Sequence, residues 1–284
     1  MVKIGTVWDS AVEALRGRAG MVTPVAVAAI FLPAVVQAGV QNFLVTPGVQ
    51  PGVGVALLMM VVSIAVAVLA LWAALAITAM LSHPDVTRAE AGRRASARLL
   101  PLIGVTVALT FALALAFIPL LVLMIASGVD MTQVSTPGYR PEMSGGAALA
   151  LFLYFAVLTV GLLWLFARLM PLVPTVLHER LGLRAIGRAF RLTKGMGLKL
   201  VGVLILFAVV LLVAAGAAQL VFGLVFRLVL GADNIAAATF IAAVAAAAVS
   251  TALSVLSYAF VTRLYVALSG RDLADASGDA RPAT

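Results

Sequence analysis

Six blocks of about twenty or more predominantly apolar residues punctuate this 284-residue chain, and they decide what it can become. A helix rising about 1.5 Å per residue needs roughly 20 such residues to cross a hydrocarbon core about 30 Å thick. The blocks run approximately from Met21 to Gln41, Val53 to Leu81, Leu99 to Ala126, Ala147 to Phe166, Leu200 to Phe222 and Ile235 to Leu256. In lipid every backbone N–H and C=O must be satisfied within the protein, and a helix does this inside one segment. The expectation is an all-α polytopic membrane protein with six transmembrane helices. One transmembrane domain should occupy residues 1–270, with a disordered cytoplasmic tail over 271–284. The second and third blocks exceed the minimum length, so they should tilt or project beyond the bilayer. With 64% hydrophobic and 11% charged residues, a soluble globule is excluded.

Orientation follows from the cations. Sixteen Lys and Arg residues fall before the first block, between the second and third, between the fourth and fifth, and after the sixth, whereas the opposite side carries only Arg140 and Arg227. This split places both termini in the cytoplasm. A seventh span would strand Arg263 and Arg271 on the wrong face. The net charge of +8 therefore belongs with anionic headgroups, and no nucleic-acid partner is expected. The first block could imitate a secretory leader ending in Val36-Gln37-Ala38, but Asp9 and Glu13 precede it in an amphipathic helix, so it should stay in the mature chain. Cysteine is absent, which removes disulfides and thiolate chemistry.

Each basic segment precedes a pair of spans, so the chain parses into three units of amphipathic interfacial helix plus hairpin, a possible three-fold repeat. The interfacial helices are expected over about 6–18, 86–98 and 181–195. In the first, Thr6 is a candidate N-cap, and Val7, Trp8, Ala11, Val12 and Leu15 recur at helical spacing. Ala91, Arg94 and Ala95 of the second match Ala185, Arg188 and Ala189 of the third. In the third, Leu183, Ile186 and Phe190 form one face while Arg184, Arg188 and Arg191 form the other, the pattern of a helix lying in the headgroup plane. Two readings stand: topology and anchoring, or a groove in which Arg184, Arg188, Arg191 and Lys194 bind phosphate. Glu179 should pair with Arg184 or Arg188, leaving Arg191 and Lys194 for the ligand.

Ser250, Ser254, Tyr258 and Thr262 recur every four residues and line one face of the last span, continuing the small stripe Ala238, Ala242 and Ala246. That face suits close packing with interhelical hydrogen bonds, or a hydrated or lipid-lined cavity. Arg168 stands alone in an apolar run near the inner edge, where snorkelling is easy. Pro171 and Pro174 predict a kinked or extended backbone that either ends the fourth helix or docks the basic helix. Asp233 and Asn234 are candidate caps for the sixth helix. Trp72 and Trp164 mark interfaces or pack between helices.

Chemistry is sparse. His83 and His178 are the only histidines, and the second histidine a His178-Glu179 zinc pair would require is Gly182. No phosphate loop, dinucleotide fingerprint or serine elbow is present. No catalytic residue, metal or cofactor is assigned, and the chain is read as no enzyme.

The stretch Pro171-Leu172-Val173-Pro174-Thr175-Val176-Leu177-His178-Glu179, followed by Gly182, Ala185, Arg188 and Leu192-Thr193-Lys194-Gly195, resembles the signature of the glycerophosphoryl diester phosphodiesterase membrane-domain family. Ala189 stands where that pattern has serine, and Phe190 supplies its aromatic. The motif covers about 25 residues, and the six-span plan covers most of the chain. The family takes its name from fusions to a soluble catalytic domain that is missing here, so the resemblance implies no hydrolysis. It implies a multi-pass protein of the bacterial cytoplasmic (inner) membrane, with a role in lipid or envelope homeostasis.

The functional expectation is a non-enzymatic membrane protein that engages anionic phospholipid headgroups at its cytoplasmic face, as a scaffold or lipid-handling factor. The alternatives are a transporter or flippase for an amphipathic substrate using the Ser250 to Thr262 face, and a membrane subunit of a larger complex. A protein partner or a second copy of the chain would fit the last. An enzyme acting on lipid phosphate through His178 or Glu179 is a further rival.

Overall fold

The computed structural model describes residues 3–45, 49–83, 85–130, 143–231 and 234–278, with the backbone alone over 271–278. In chain order the helices are α1 (Ile4–Ala26), a π-helical turn (Val27–Phe31), α2 (Leu32–Leu44), α3 (Val53–Ser82), α4 (Arg88–Ala126), α5 (Gly145–Leu169), α6 (Leu172–Glu179), α7 (Arg184–Leu192), α8 (Gly197–Leu230) and α9 (Ile235–Gly278). No strand occurs among the described residues. Among the described residues six helices are long and apolar enough to cross a membrane, with α1, the π turn and α2 counted as one and α6 counted with α5. The fold is all-α and polytopic.

Several boundaries differ from the sequence reading. Residues 6–18 and 88–98 are not separate helices but the first turns of α1 and α4, each continuing into the apolar run that follows, through Gly20 and Pro24 in the case of α1. Lys3, not Thr6, occupies the cap position of α1, and no side chain caps it. Thr87 does cap α4, accepting from the Glu90 N–H at 3.3 Å. Only the third basic segment forms a short helix of its own, α7. At the other extreme α9 continues through Gly278, into the stretch expected to be a disordered tail; residues 279–284 lie outside the described set. Asp233, Arg140 and Arg281 also lie outside it. Asn234 turns backward, its Nδ2 donating to the Leu230 carbonyl at the end of α8, so it closes the preceding helix.

Proline positions explain the irregular geometry. Pro33 has no N–H to give the Ala29 carbonyl one turn earlier, and the helix widens into the π turn over that stretch. Pro24 likewise leaves the Gly20 carbonyl without its helical donor. Arg88 fills the gap from α4, with Nη2 3.0 Å from that oxygen. Replacing Arg88 with alanine should therefore cost about 1 kcal/mol, and the loss should shrink when Pro24→Ala restores the missing N–H. Thermal unfolding of the two single variants and the double variant in detergent measures this coupling; additive losses would disprove it. Pro171 and Pro174 are accommodated differently from the expected kink. Met170 and Pro171 make a turn, and both prolines sit at the start of α6, where backbone N–H groups have no intrahelical acceptor anyway.

Helix α9 is central, packing along α8 and against α1, α2, α3 and α6. Its small stripe allows close approach to α8: Ala238 and Ala242 are buried, and a Cβ on Gly223 would lie 3.5 Å from that of Ala242. Helix α3 packs on α4, α5 bridges α4 and α8, and α6 inserts among α3, α4, α7 and α9. The fully enclosed side chains, among them Leu75, Ile77, Met80, Leu102, Val176, Leu200, Phe260 and Leu264, concentrate at one end of the bundle. Trp8, Phe207 and Phe260 join α1, α8 and α9 there, with ring centroids 5.8 to 6.4 Å apart. The same end carries Arg18, Arg88, Arg168, Arg188 and Arg263. Away from it the helices present Phe111, Val122, Phe152, Val157, Leu212 and Leu228 outward, as lipid-facing surfaces do.

Candidate functional site

The arginine-rich end is built around α6 and α7. Helix α7 docks through Ala185, Ala189 and Leu192. Of the face expected to be apolar, Ile186 packs against the core and Phe190 against Trp164, whereas Leu183 precedes the helix and is exposed. Docking through small residues recurs with buried Val7 and Ala11 in α1, and with buried Ala91 and Ala95 in α4.

Two anchors hold α7. Arg168, at the end of α5, does not snorkel. Its Nη1 donates to the Phe190 carbonyl at 3.1 Å and lies 3.5 Å from Thr193 Oγ1. Its guanidinium carbon stands 5.1 Å from the Trp164 ring centroid and 5.9 Å from that of Phe190. The charge thus meets the carbonyl end of α7, where a cation is favoured, while both aromatic faces cover it. Thr193 is buried and its hydroxyl donates to the Ala189 carbonyl at 2.9 Å.

The second anchor is ionic. Glu179 receives Arg188 Nε on both carboxylate oxygens, at 2.8 and 3.1 Å, and Tyr265 of α9 donates its hydroxyl to Glu179 Oε1 at 3.1 Å. Of the two partners considered for Glu179, Arg188 makes the pair. His178 stacks on the Tyr265 ring at 5.6 Å and meets His83 edge-on at 5.8 Å. His178 Nε2 is 2.9 Å from Ser82 Oγ, whose proton goes to the Thr78 carbonyl. Arg180 ends α6 with φ 56°, and Gly182 (φ 51°) and Gly195 (φ 81°) supply the left-handed turns flanking α7.

These anchors leave Arg184, Arg191 and Lys194 exposed, with no ion-pair partner among the described residues. Arg188, grouped with them in the sequence reading, is instead half-buried in its pair with Glu179. On the polar face of α9 Thr262 is buried, while Ser250, Ser254 and Tyr258 are half-buried. Ser254 Oγ donates to the Ser250 carbonyl at 2.8 Å and Thr262 Oγ1 to the Tyr258 carbonyl at 2.7 Å, so these hydroxyls close on their own helix instead of bridging to another. A cavity of about 330 Å³ lies beside Ser254 and Tyr258, between α8 and α9. Trp72 packs against α4, with its Nε1 donating to Ser96 Oγ at 3.1 Å, and Trp164 belongs to the Arg168 anchor.

Sequence reasoning left Arg18, Tyr265, Ser82 and Arg263 unassigned. Tyr265 and Arg263 lay beyond the predicted end of the last span, and nothing local tied Arg18 to the end of α3, where it donates to the Met80 carbonyl. Among the described residues no three His, Asp or Glu side chains converge as metal ligands. No protein-family model, curated protein or solved structure matches this chain.

Proposed function

We propose that this chain is a non-enzymatic, multi-pass protein of the bacterial cytoplasmic membrane, with both termini cytoplasmic, that engages anionic phospholipid headgroups through the exposed face of α7. The kinship with the glycerophosphoryl diester phosphodiesterase membrane-domain family is part of this reading. One observation carries it: Arg184, Arg191 and Lys194 point outward from a helix that Arg168 and the Glu179–Arg188 pair hold rigidly against the bundle. A fixed array of cations costs little further side-chain and backbone ordering when phosphates bind, and each Lys or Arg near an anionic surface contributes about 1 kcal/mol. The positive-inside distribution puts this face toward the leaflet that holds such lipids.

The triple variant Arg184→Gln, Arg191→Gln, Lys194→Gln should weaken association with anionic lipid by about two orders of magnitude at low salt, with little effect on zwitterionic lipid. Nanodiscs of mixed composition, extracted and quantified for lipid enrichment around wild type and variant, provide the measurement. Equal enrichment in both would refute the proposal. A scaffold or lipid-handling role follows from the engagement, because the α7 face would gather anionic lipids around the protein.

A further inference from the structure

We infer that the cavity between α8 and α9 holds one uncharged glycerolipid, its ester and hydroxyl oxygens at Ser254, Ser257 and Tyr258 and its chains leading outward between the two helices. The cations of α7 take no part in this site.

The α9 wall departs from the pattern of the rest of that helix. Thr239, Thr251, Thr262 and Ser269 return their hydroxyl protons to carbonyls of α9 itself, which satisfies a hydroxyl at membrane depth without a second partner. The side-chain hydroxyls of Ser257 and Tyr258 have no hydrogen-bond partner among the described residues. Both line a cavity of about 330 Å³ together with Ser254, which is three and four positions away and so on the same helix face. Ser254 directs its proton to the Ser250 carbonyl at 2.8 Å, and its oxygen keeps the capacity to accept. The site therefore offers two free donors and one acceptor. Opposite them α8 contributes Leu204, Phe207, Ala208 and Leu211, an apolar strip at helical spacing. Trp8 and Phe260 pack on Phe207, with ring centroids at 6.0 and 5.8 Å, and fix the position of that wall. Ala208 and Leu211 are exposed, so the cavity opens sideways among lipid-facing residues.

The lining selects the occupant. No charged side chain lines the cavity, so a phosphate would find no counter-charge there. Hydrocarbon alone would leave both hydroxyl donors without an acceptor. A water occupies about 30 Å³ and needs two to four polar partners, so water beside the hydroxyls accounts for only a small part of the space. A diacylglycerol matches the whole site: two ester carbonyls to receive from Ser257 and Tyr258, a hydroxyl to donate to Ser254, and chains for the apolar wall. The depth agrees. Tyr258 lies seven residues before Tyr265, about 10 Å along α9 from the residue that meets Glu179 at the arginine-rich end. Each interfacial layer of a bilayer is about 5–8 Å thick, half the difference between its full and hydrocarbon thicknesses. Tyr258 is thus placed at the cytoplasmic edge of the hydrocarbon, the level of lipid ester groups.

Photolabelling of the full-length protein tests the assignment, in nanodiscs that contain a diacylglycerol with a diazirine near the ester end of one chain. Peptide mapping should find the label on residues 204–211 and 253–258. Unlabelled diacylglycerol should displace it about tenfold more effectively than phosphatidic acid of the same chains, and Ser257→Ala with Tyr258→Phe should lower labelling about tenfold, as expected for two hydrogen bonds. Ala208→Phe, at an exposed position and therefore compatible with folding, should block the opening and abolish labelling. The α7 triple variant should label as wild type does, which separates failure of this site from failure of the α7 surface. Undiminished labelling of the variant lacking both hydroxyls would overturn the inference, because the site would then need no hydrogen bond. Equal displacement by phosphatidic acid would overturn it by showing indifference to the head, and an unlabelled seam would leave the hydroxyls to water.

Discussion

Exchanging Arg168 for methionine should destabilise the protein by about 3 kcal/mol and release α7 from the bundle. Methionine keeps the length and apolar stem of the side chain, so the effect isolates the guanidinium. What disappears is the charged donor to the Phe190 carbonyl, within reach of Thr193, and the cation packed against the Trp164 and Phe190 rings. A hydrogen bond from a charged group contributes roughly 1.5–3 kcal/mol and a desolvated cation–π contact up to about 2 kcal/mol, with incomplete additivity. Arg168→Lys should recover part of the loss, because ammonium retains the charge but neither spans both acceptors nor stacks as a plane. Unfolding in detergent gives the energy, and limited proteolysis after Arg184 or Arg191 reports whether α7 has come loose. Full protection of those bonds in Arg168→Met would show that α7 is held by its alanine face alone.

Glu179→Gln is the second substitution with a large expected effect, about 2 kcal/mol. The amide oxygen can still accept from Tyr265, but Arg188 then loses its counter-charge. The pair is mostly shielded, with side-chain exposures of 24% for Arg188 and 23% for Glu179, so solvent compensates incompletely. Removing both charges, in Glu179→Gln with Arg188→Gln, should cost less than the sum of the single changes, because no unpaired charge remains. Strict additivity in a double-mutant cycle would mean that the ion pair contributes nothing to holding α7. The first substitution tests the junction of α5 with α7, and the second tests that of α6 with α7 and α9.

The spans were legible because bilayer thickness imposes a length on apolar runs, and α3, α4, α5, α8 and α9 each contain one of the predicted blocks. The ends were less legible. Charged turns such as Arg93 to Arg98 interrupt hydropathy without interrupting a helix, so α4 begins at Arg88 instead of Leu99. The site followed the same division. The outward cations of α7 were visible in short-range spacing, which left Arg184 and Arg188 as equal candidates for Glu179 and grouped Arg188 with the ligand cations. Tyr265 meeting Glu179 was not visible, because the two are 86 positions apart and only the central placement of α9 brings them together. Arg168 was visible as an isolated cation, but whether it reached toward water or inward depended on where α7 folded back. Gly20 and Arg88, 68 residues apart, required both a proline gap in one helix and the neighbouring start of another.

The π turn has an effect beyond its own residues. By accommodating one extra residue it sets the angular phase of α2 independently of α1, since each residue advances a helix by about 100°. In the present phase Gln37 reaches Ser63 of α3 at 3.5 Å, and Gly39 turns toward Phe240 of α9, whose ring would sit 3.6 Å from a Cβ there. A chain lacking one residue between Val27 and Phe31 would keep its hydropathy and its span yet point both positions elsewhere. The first membrane crossing is in this sense two differently aimed rods joined end to end.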